Sequence, residues 1–264
     1  MKRANKLIVI IEMFLLTSFS LQAQEDAKLE KERGRQQQIN QLLNLARNYE
    51  QRAQFSQALE IYQQLLNDNP TDINYYRWVK DNFIKLGNFA AAEASINKML
   101  QLNASAMLQV DLADLYFNKG EKEKAFNYWN EILKMDDNNL STYQIVASSM
   151  MRNFLYDEAL AIYQQGQKKL NNESLFLIDM ANIYRFRQEY KNAVLNYLEY
   201  LKYYPSQYSF IEQSITSFAG DPESAGDIEE ILLAKINTKN SSIDLRNILA
   251  AFYIRTSNYR AALN

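Results

Sequence analysis

The residues that could perform chemistry in this 264-residue chain are few in type, because histidine and cysteine are both absent. That absence removes the commonest general base, the thiol nucleophile, and the imidazole and thiolate ligands of transition metals. An active site would need carboxylates and lysines alone, and none converge. Glu229 and Glu230 are adjacent on a helix and diverge in direction, so they form no acid–base pair. We predict no enzymatic activity, no catalytic residue and no cofactor.

Two other kinds of site are excluded on similar grounds. The run Asp136–Asn139 resembles a calcium loop only in composition, since it lacks the alternating oxygen ligands and the distal glutamate. We predict a solvated loop there and no metal site. The formal charge of −2 gives no basic footprint for nucleic acid.

The composition indicates a folded helical protein. Apolar residues make up 47% of the chain and charged residues 23%, which is typical of a folded protein. Only six glycines and three prolines are present, so we expect long helices with short connections.

Alanines recur along the chain at a nearly constant interval. Five of them follow one another in this way, and a sixth lies almost two further periods along: Ala58, Ala92, Ala125, Ala159, Ala193 and then Ala262. A fixed period of this size indicates stacked repeats, each of which is one supersecondary unit that cannot bury its apolar face alone.

Each repeat has the pattern of a helical hairpin. In the first unit, a stripe of apolar residues at helical spacing precedes a break at residues 52–54, and a second stripe follows it as far as Pro70. Small Ala46 and Ala58 would let the two helices approach closely. Gly87 and Gly120 fall at the turn between paired helices, where we expect a left-handed residue.

These hairpins resemble tetratricopeptide repeats over residues 39–205 and again over 243–264. Two copies carry the resemblance almost throughout: Leu45-Ala46…Tyr49…Ala58…Tyr62…Pro70 and Met180-Ala181…Tyr184…Ala193…Tyr197…Pro205. The resemblance implies an all-α fold, an α-solenoid of stacked helix-turn-helix hairpins that form a right-handed superhelix. Three positions depart from the pattern, namely Lys80, Met150 and Gly166.

We predict the following organisation along the chain. A signal peptide over residues 1–23 precedes a charged linker or lead-in helix over 24–38. Five repeats over 39–207 are followed by a degenerate helical hairpin over 208–242. An incomplete repeat occupies 243–264, from which we expect the chain to be a fragment of a longer protein.

The predicted signal peptide has the layout of a secretory leader. Lys2, Arg3 and Lys6 precede an apolar run from Leu7 to Phe19, which is short for a membrane span. We predict export to the periplasm or envelope of a Gram-negative bacterium, without stable membrane insertion after cleavage. An uncleaved anchor is the alternative, because Glu12 interrupts the run.

The resemblance also implies where a partner would bind. In this family the first helix of each hairpin lines a concave groove, and residues spaced three, four and three apart point into it. This rule selects Arg47, Arg77, Asp81, Asp114, Phe117, Gln144, Met151, Ile178, Asn182 and Arg185.

The function that we predict is a protein–protein interaction scaffold that binds a peptide or helix of another protein in this groove. The alternative is a regulatory or substrate-presenting arm of a longer protein whose catalytic or membrane domain lies beyond residue 264. A glycan-binding protein is disfavoured, since Phe117 is the only aromatic residue of the predicted groove. The sequence leaves the oligomeric state open.

Overall fold

The computed structural model describes residues 2–220, 222–236 and 243–263, with side chains from residue 25 onward except those of residues 222, 223 and 243. This part of the chain forms fourteen α-helices and two short 3-10 helices, and no strand. The all-α prediction is confirmed. The predicted signal peptide, residues 1–23, and residues 237–242 of the predicted degenerate hairpin lie outside the residues whose side chains are described.

The chain divides into two compact units, residues 1–108 and 109–264. The first unit contains α1 (Lys2–Gln51), α2 (Phe55–Asp68), α3 (Ile73–Lys85), α4 (Phe89–Leu102) and the start of α5 (Ala106–Asn118). Residues 25–38 are part of α1 and are exposed. Over the residues whose side chains are described, no helix combines the length and apolarity that a membrane crossing requires.

The second unit continues α5 and adds nine further helices. They are α6 (Lys122–Met135), α7 (Leu140–Arg152), α8 (Tyr156–Lys169), α9 (Leu177–Phe186), α10 (Tyr190–Tyr203), α11 (Tyr208–Thr216), α12 (Pro222–Ile236), α13 (Ile243–Arg255) and α14 (Tyr259–Ala262). The two 3-10 helices, Pro205–Gln207 and Ser217–Gly220, flank α11.

A residue with positive φ separates the two helices of every hairpin that carries the recurring alanine. Gly87 and Gly120 have φ of 70° and 87°, as the sequence predicts. Four hairpins place a residue other than glycine at the equivalent position, where a left-handed conformation costs about 1–3 kcal/mol: Ala53, Phe154, Gln188 and Ser257. These six turn residues recur with the period of the alanines, because each stands at the same short distance before one of them.

In the first unit, the helices of the first hairpin meet at small side chains. Ala46 of α1 and Ala58 of α2 are both 0% exposed. Their methyl groups let the two backbones approach closely, and the Tyr62 ring fills the neighbouring volume. The α2 helix also packs against α3, which contributes Val79 to the same cluster.

The second unit repeats this arrangement around Ala125, Ala159 and Ala193, each 0% exposed. The α7 helix packs against α8, and α9 packs against α10. A further cluster runs from Ala193 and Tyr197 of α10 into α11, α12 and α13. The helices that lack the alanine signature therefore bury their apolar stripes against the last regular hairpin.

Gly166 departs from the repeat pattern because two aromatic rings occupy the space beside it. A Cβ atom at Gly166 would lie 2.7 Å from Cε2 of Phe176 and 2.9 Å from Cγ of Tyr143. Phe176 has φ of 60° and directly precedes α9, and its ring stacks on that of Tyr163 with centroids 4.9 Å apart. A glycine in α8 thus makes room for a ring supplied by the next hairpin.

Candidate partner-binding surface

The ten residues that the sequence selects lie on the first helices of the hairpins, and we call this set the first-helix face. In the first unit α1 carries Arg47, and α3 carries Arg77 and Asp81. In the second unit α5, α7 and α9 carry the other seven. Arg47 and Arg185 are exposed and the remaining eight are half-buried, so every one retains contact with solvent.

In four of the five predicted repeats, an aromatic residue lies four positions after the alanine and bonds to a first helix, whereas the second repeat has Ile96 at this position. In the first unit this residue is Tyr62 of α2. Its hydroxyl donates a 3.2 Å hydrogen bond to Glu50 of α1, and its ring lies 5.2 Å from that of Trp78 of α3. Burial, and then the charge of Glu50, raise the pKa of Tyr62.

The same position in α6 is Trp129, which is 0% exposed. Its ring lies 5.9 Å from that of Phe117 of α5, and its indole N–H donates a 2.8 Å hydrogen bond to Oγ of Ser149 of α7. In α10 the Tyr197 hydroxyl donates to Oδ1 of Asn182 of α9 at 3.4 Å.

Tyr163 of α8 occupies this position in the fourth hairpin. Its hydroxyl hydrogen-bonds Ser148 of α7 and lies near Asp179 of α9. Burial, and then the charge of Asp179, raise the pKa of Tyr163 to about 12, although the bond to Ser148 lowers it. Each aromatic ring is thus placed by the apolar core, while its polar atom bonds to a first helix.

Acidic residues near the ends of two first helices accept hydrogen bonds from the following first helix. In the first unit, Oε1 of Glu50 accepts from Nδ2 of Asn82 at 2.9 Å and from Nζ of Lys85 at 2.8 Å. Burial raises the pKa of Glu50, but the hydrogen bonds from Lys85, Asn82 and Tyr62 outweigh it, so the pKa lies below its ordinary value.

Asp114 has the corresponding role in the second unit. It accepts from Nη2 of Arg152 at 2.7 Å, from Nδ2 of Asn153 at 2.6 Å, and from Oγ of Ser149. Its side chain is 13% exposed. Asp114, which the sequence selects as a partner-binding residue, is therefore engaged in joining α5 to α7.

The three arginines of the first-helix face have no such partners. The Arg47 guanidinium lies 5.9 Å from the ring centroid of Trp78, and Nη2 of Arg77 contacts Sδ of Met107. Burial raises the pKa of Tyr197, and the nearby charge of Arg185 opposes this shift. Within the part of the chain that the structure describes, none of these arginines forms an ion pair with a carboxylate, whereas Asp81 pairs with Lys80 at 3.3 Å.

The apolar residues of the face are half-buried rather than fully exposed. Phe117 packs beside Trp129, and Nζ of Lys122 lies 5.7 Å from its ring centroid. Ile178 packs against the core cluster of the second unit, and Met151 is half-buried on α7. The polar residue Gln144 is also half-buried on α7. Each of these side chains retains part of its surface for a ligand.

The sequence reasoning missed the residues that hold neighbouring first helices together. Asn82 and Ser149 occupy equivalent positions two repeats apart, as do Lys85 and Arg152. Comparison of such positions would have indicated a shared structural role. Among the described residues, no group of three or more carboxylates could hold a metal ion.

Comparison with known proteins supports the resemblance to tetratricopeptide-repeat proteins. Residues 42–72 match the family model of the tetratricopeptide repeat. Over 192 residues the chain is 27% identical to a TPR repeat-containing protein of Methanocaldococcus jannaschii, an alignment that covers 66% of this chain and 33% of the relative. The chain thus spans a third of the length of the curated relative that it matches.

Two similar solved structures are tetratricopeptide-repeat proteins. One is from Parabacteroides merdae, at 12% identity, TM-score 0.36, and coverage of 86% of this chain and 89% of that one. The other is the C-terminal part of a repeat-containing protein from Cytophaga hutchinsonii, at 13% identity, TM-score 0.38, and coverage of 84% and 93%. Because the identities and TM-scores are this low, the fold of this chain is established by its own helical hairpins and not by the neighbours.

We predict that Ser149→Ala destabilises the protein by about 1–3 kcal/mol, because the buried Trp129 N–H loses its acceptor and Asp114 loses a donor. Urea unfolding followed by circular dichroism measures the change. Ser141→Ala is the matched control, since Ser141 is exposed on the same helix. Equal unfolding midpoints for the two variants would contradict the role assigned to Ser149.

Proposed function

We propose that this chain is a non-enzymatic scaffold that binds a peptide or helical segment of another protein along the first-helix face. Its helical hairpins support this class of function, since arrays of this kind present extended surfaces to partners. The observation that carries the proposal is the charge imbalance of the face. Its arginines lack carboxylate partners, while its acids are paired with cations of the same chain.

The imbalance occurs in each unit separately. In the first unit, Lys80 and Lys85 pair with Asp81 and Glu50, which leaves the charges of Arg47 and Arg77 uncompensated. In the second unit, Arg152 pairs with Asp114, and Arg185 is left uncompensated. A positive face on a protein of net charge −2 favours a partner segment that carries carboxylates. Guanidinium groups suit such partners because their fork can bond both carboxylate oxygens.

Apolar side chains on the first helices of the second unit add the second element of recognition, and α9 carries one of them together with Arg185. Phe117, Met151 and Ile178 are half-buried, so a partner residue can complete their burial without a change in the fold. Apolar contacts of this kind provide affinity, while the arginines orient the segment. The proposed ligand is therefore an amphipathic segment with acidic and apolar residues.

We further propose that the protein is exported to the envelope of a Gram-negative bacterium, as the leader-like layout of residues 1–23 suggests. The second candidate function is a repeat arm of a longer protein, which is favoured by the greater length of the matched relative. The intact mass of the protein from its native cell distinguishes the two. A mass reduced by residues 1–23 supports a cleaved leader and export, a mass well above that of the chain supports the arm, and the unaltered mass contradicts both the cleaved leader and the arm.

We expect Arg47→Glu/Arg77→Glu, or Arg185→Glu alone, to weaken peptide binding by about tenfold or more, because each loses a charge-assisted contact and adds repulsion. The probe is a phage library of random dodecapeptides selected on the wild-type protein. Affinities of enriched peptides are then measured by fluorescence anisotropy.

The matched control is Arg52→Glu/Lys98→Glu, which makes the same charge change at exposed positions of the first unit outside the face. Affinities within about twofold of wild type are expected for this control. If no enriched peptide distinguishes the face variants from the control, the first-helix face is not the binding surface.

A further inference from the structure

A cleft of about 760 Å³ lies in the second unit, away from the first-helix face. The second helices α8 and α10 provide its walls, and α9 lies between them. Gln164 and Lys168 line one side and Asn196 and Glu199 the other, while Met180 of α9 contributes to the base.

The cleft adjoins an irregularity in the repeat. Three other first helices, α3, α5 and α7, begin at one fixed distance before the alanine of their hairpin. The equivalent position in the fifth hairpin is Ser174, but α9 begins only at Leu177. The first turn of α9 is replaced by a non-helical segment that ends at Phe176. The Phe176 ring, which lies beside Gly166 and stacks on Tyr163, projects from the last residue of this segment.

Side chains hold the unwound segment in one conformation. Nε2 of Gln167 donates to the backbone oxygens of Glu173 and Leu175, each at 2.8 Å. Oγ of Ser174 donates to Oδ1 of Asn172 at 2.8 Å and lies 3.0 Å from Oη of Tyr204. Backbone that is held in this way forms a preorganised wall, which lowers the entropic cost of binding.

The segment also retains unfavourable backbone conformations. Asn171 and Phe176 have φ of 49° and 60°. For an aromatic residue such as Phe176, this conformation costs about 1–3 kcal/mol and persists only where the surroundings impose it. The same conformation occurs at the hairpin turns, so at Phe176 it shows that the surroundings fix the backbone beside the cleft.

The chemistry of the lining suits an uncharged hydrogen-bonding ligand. Side-chain amides recur around the cleft. Those of Gln167 and Asn172 are used within the unwound segment, whereas Nδ2 of Asn196 donates one hydrogen bond to the Asn192 carbonyl oxygen and keeps a second N–H. The amide of Gln164 and the remaining groups of Asn196 therefore offer both donors and acceptors to a ligand.

Among the charged lining residues, Glu199 pairs with Lys202 of the same helix, and Lys168 and Glu173 carry opposite charges. Leu177 and Met180 are 6% and 4% exposed and form an apolar floor beneath the polar side chains.

We propose that this cleft is a second binding site, which takes an extended, uncharged segment of a partner polypeptide. The side-chain amides of Gln164 and Asn196 bond to the N–H and C=O groups of the bound backbone, and a small apolar side chain of the segment rests on Met180. An oligosaccharide fits less well. The lining has a single aromatic residue, Tyr184, which is half-buried and packs against the core cluster, whereas sugar sites usually present exposed aromatic rings.

The test uses Gln164→Glu/Asn196→Asp, which preserves the shape of both side chains but removes two donors and adds two charges. Its control is Gln165→Glu/Asn192→Asp, the same change on the same two helices at exposed positions outside the cleft. We expect a class of dodecapeptides with no net charge to lose about tenfold affinity in the cleft variant and less than about twofold in the control.

Peptides of this class should bind the Arg47→Glu/Arg77→Glu and Arg185→Glu variants as they bind wild type. The cleft and the first-helix face are therefore tested independently. The absence of any peptide that the cleft variant alone weakens would overturn the proposal. Binding of maltohexaose that the cleft variant abolishes and the control does not would overturn the choice of a peptide as occupant.

Discussion

The close approach of two helices at one position in each hairpin is the constraint on which the rest of this structure depends. The alanines at that position in the five regular hairpins are all 0% exposed, so no larger side chain has room there without displacing a helix. The turn just before each alanine must reverse the chain between two closely packed helices. This explains why each of these turns contains a left-handed residue. In four of these hairpins an aromatic residue four positions later is placed by the same register, and in the second hairpin Ile96 occupies that position.

That aromatic residue links packing to the candidate function. Tyr62, Trp129, Tyr163 and Tyr197 each present a polar atom to a first helix. The acids of the first helices are drawn into the same contacts, where lysine or arginine compensates them. The arginines that remain uncompensated give the first-helix face its positive charge.

The alanine period predicted the hairpins, their turns and the small-residue contacts, because each is local and recurs in register. It did not predict that Asp114 contacts Ser149 and Arg152, since these residues are distant in the chain and make a contact between repeats. Nor did it predict the left-handed Phe154 and Gln188, because tertiary packing imposes a conformation that their side chains disfavour. Gly166 was recognisable as an exception, but its cause lies in the ring of Phe176.

Gly166→Ala, compared with Gly226→Ala, tests most directly the claim that space between helices determines this structure. Both glycines are helical, but a Cβ meets two rings at Gly166 and nothing within 4 Å at Gly226. Alanine is the better helix former by about 0.5–1 kcal/mol, so Gly226→Ala should raise the free energy of unfolding by that amount. We predict that Gly166→Ala instead lowers it by about 1–3 kcal/mol in urea denaturation. Equal stabilisation by both substitutions would contradict the account.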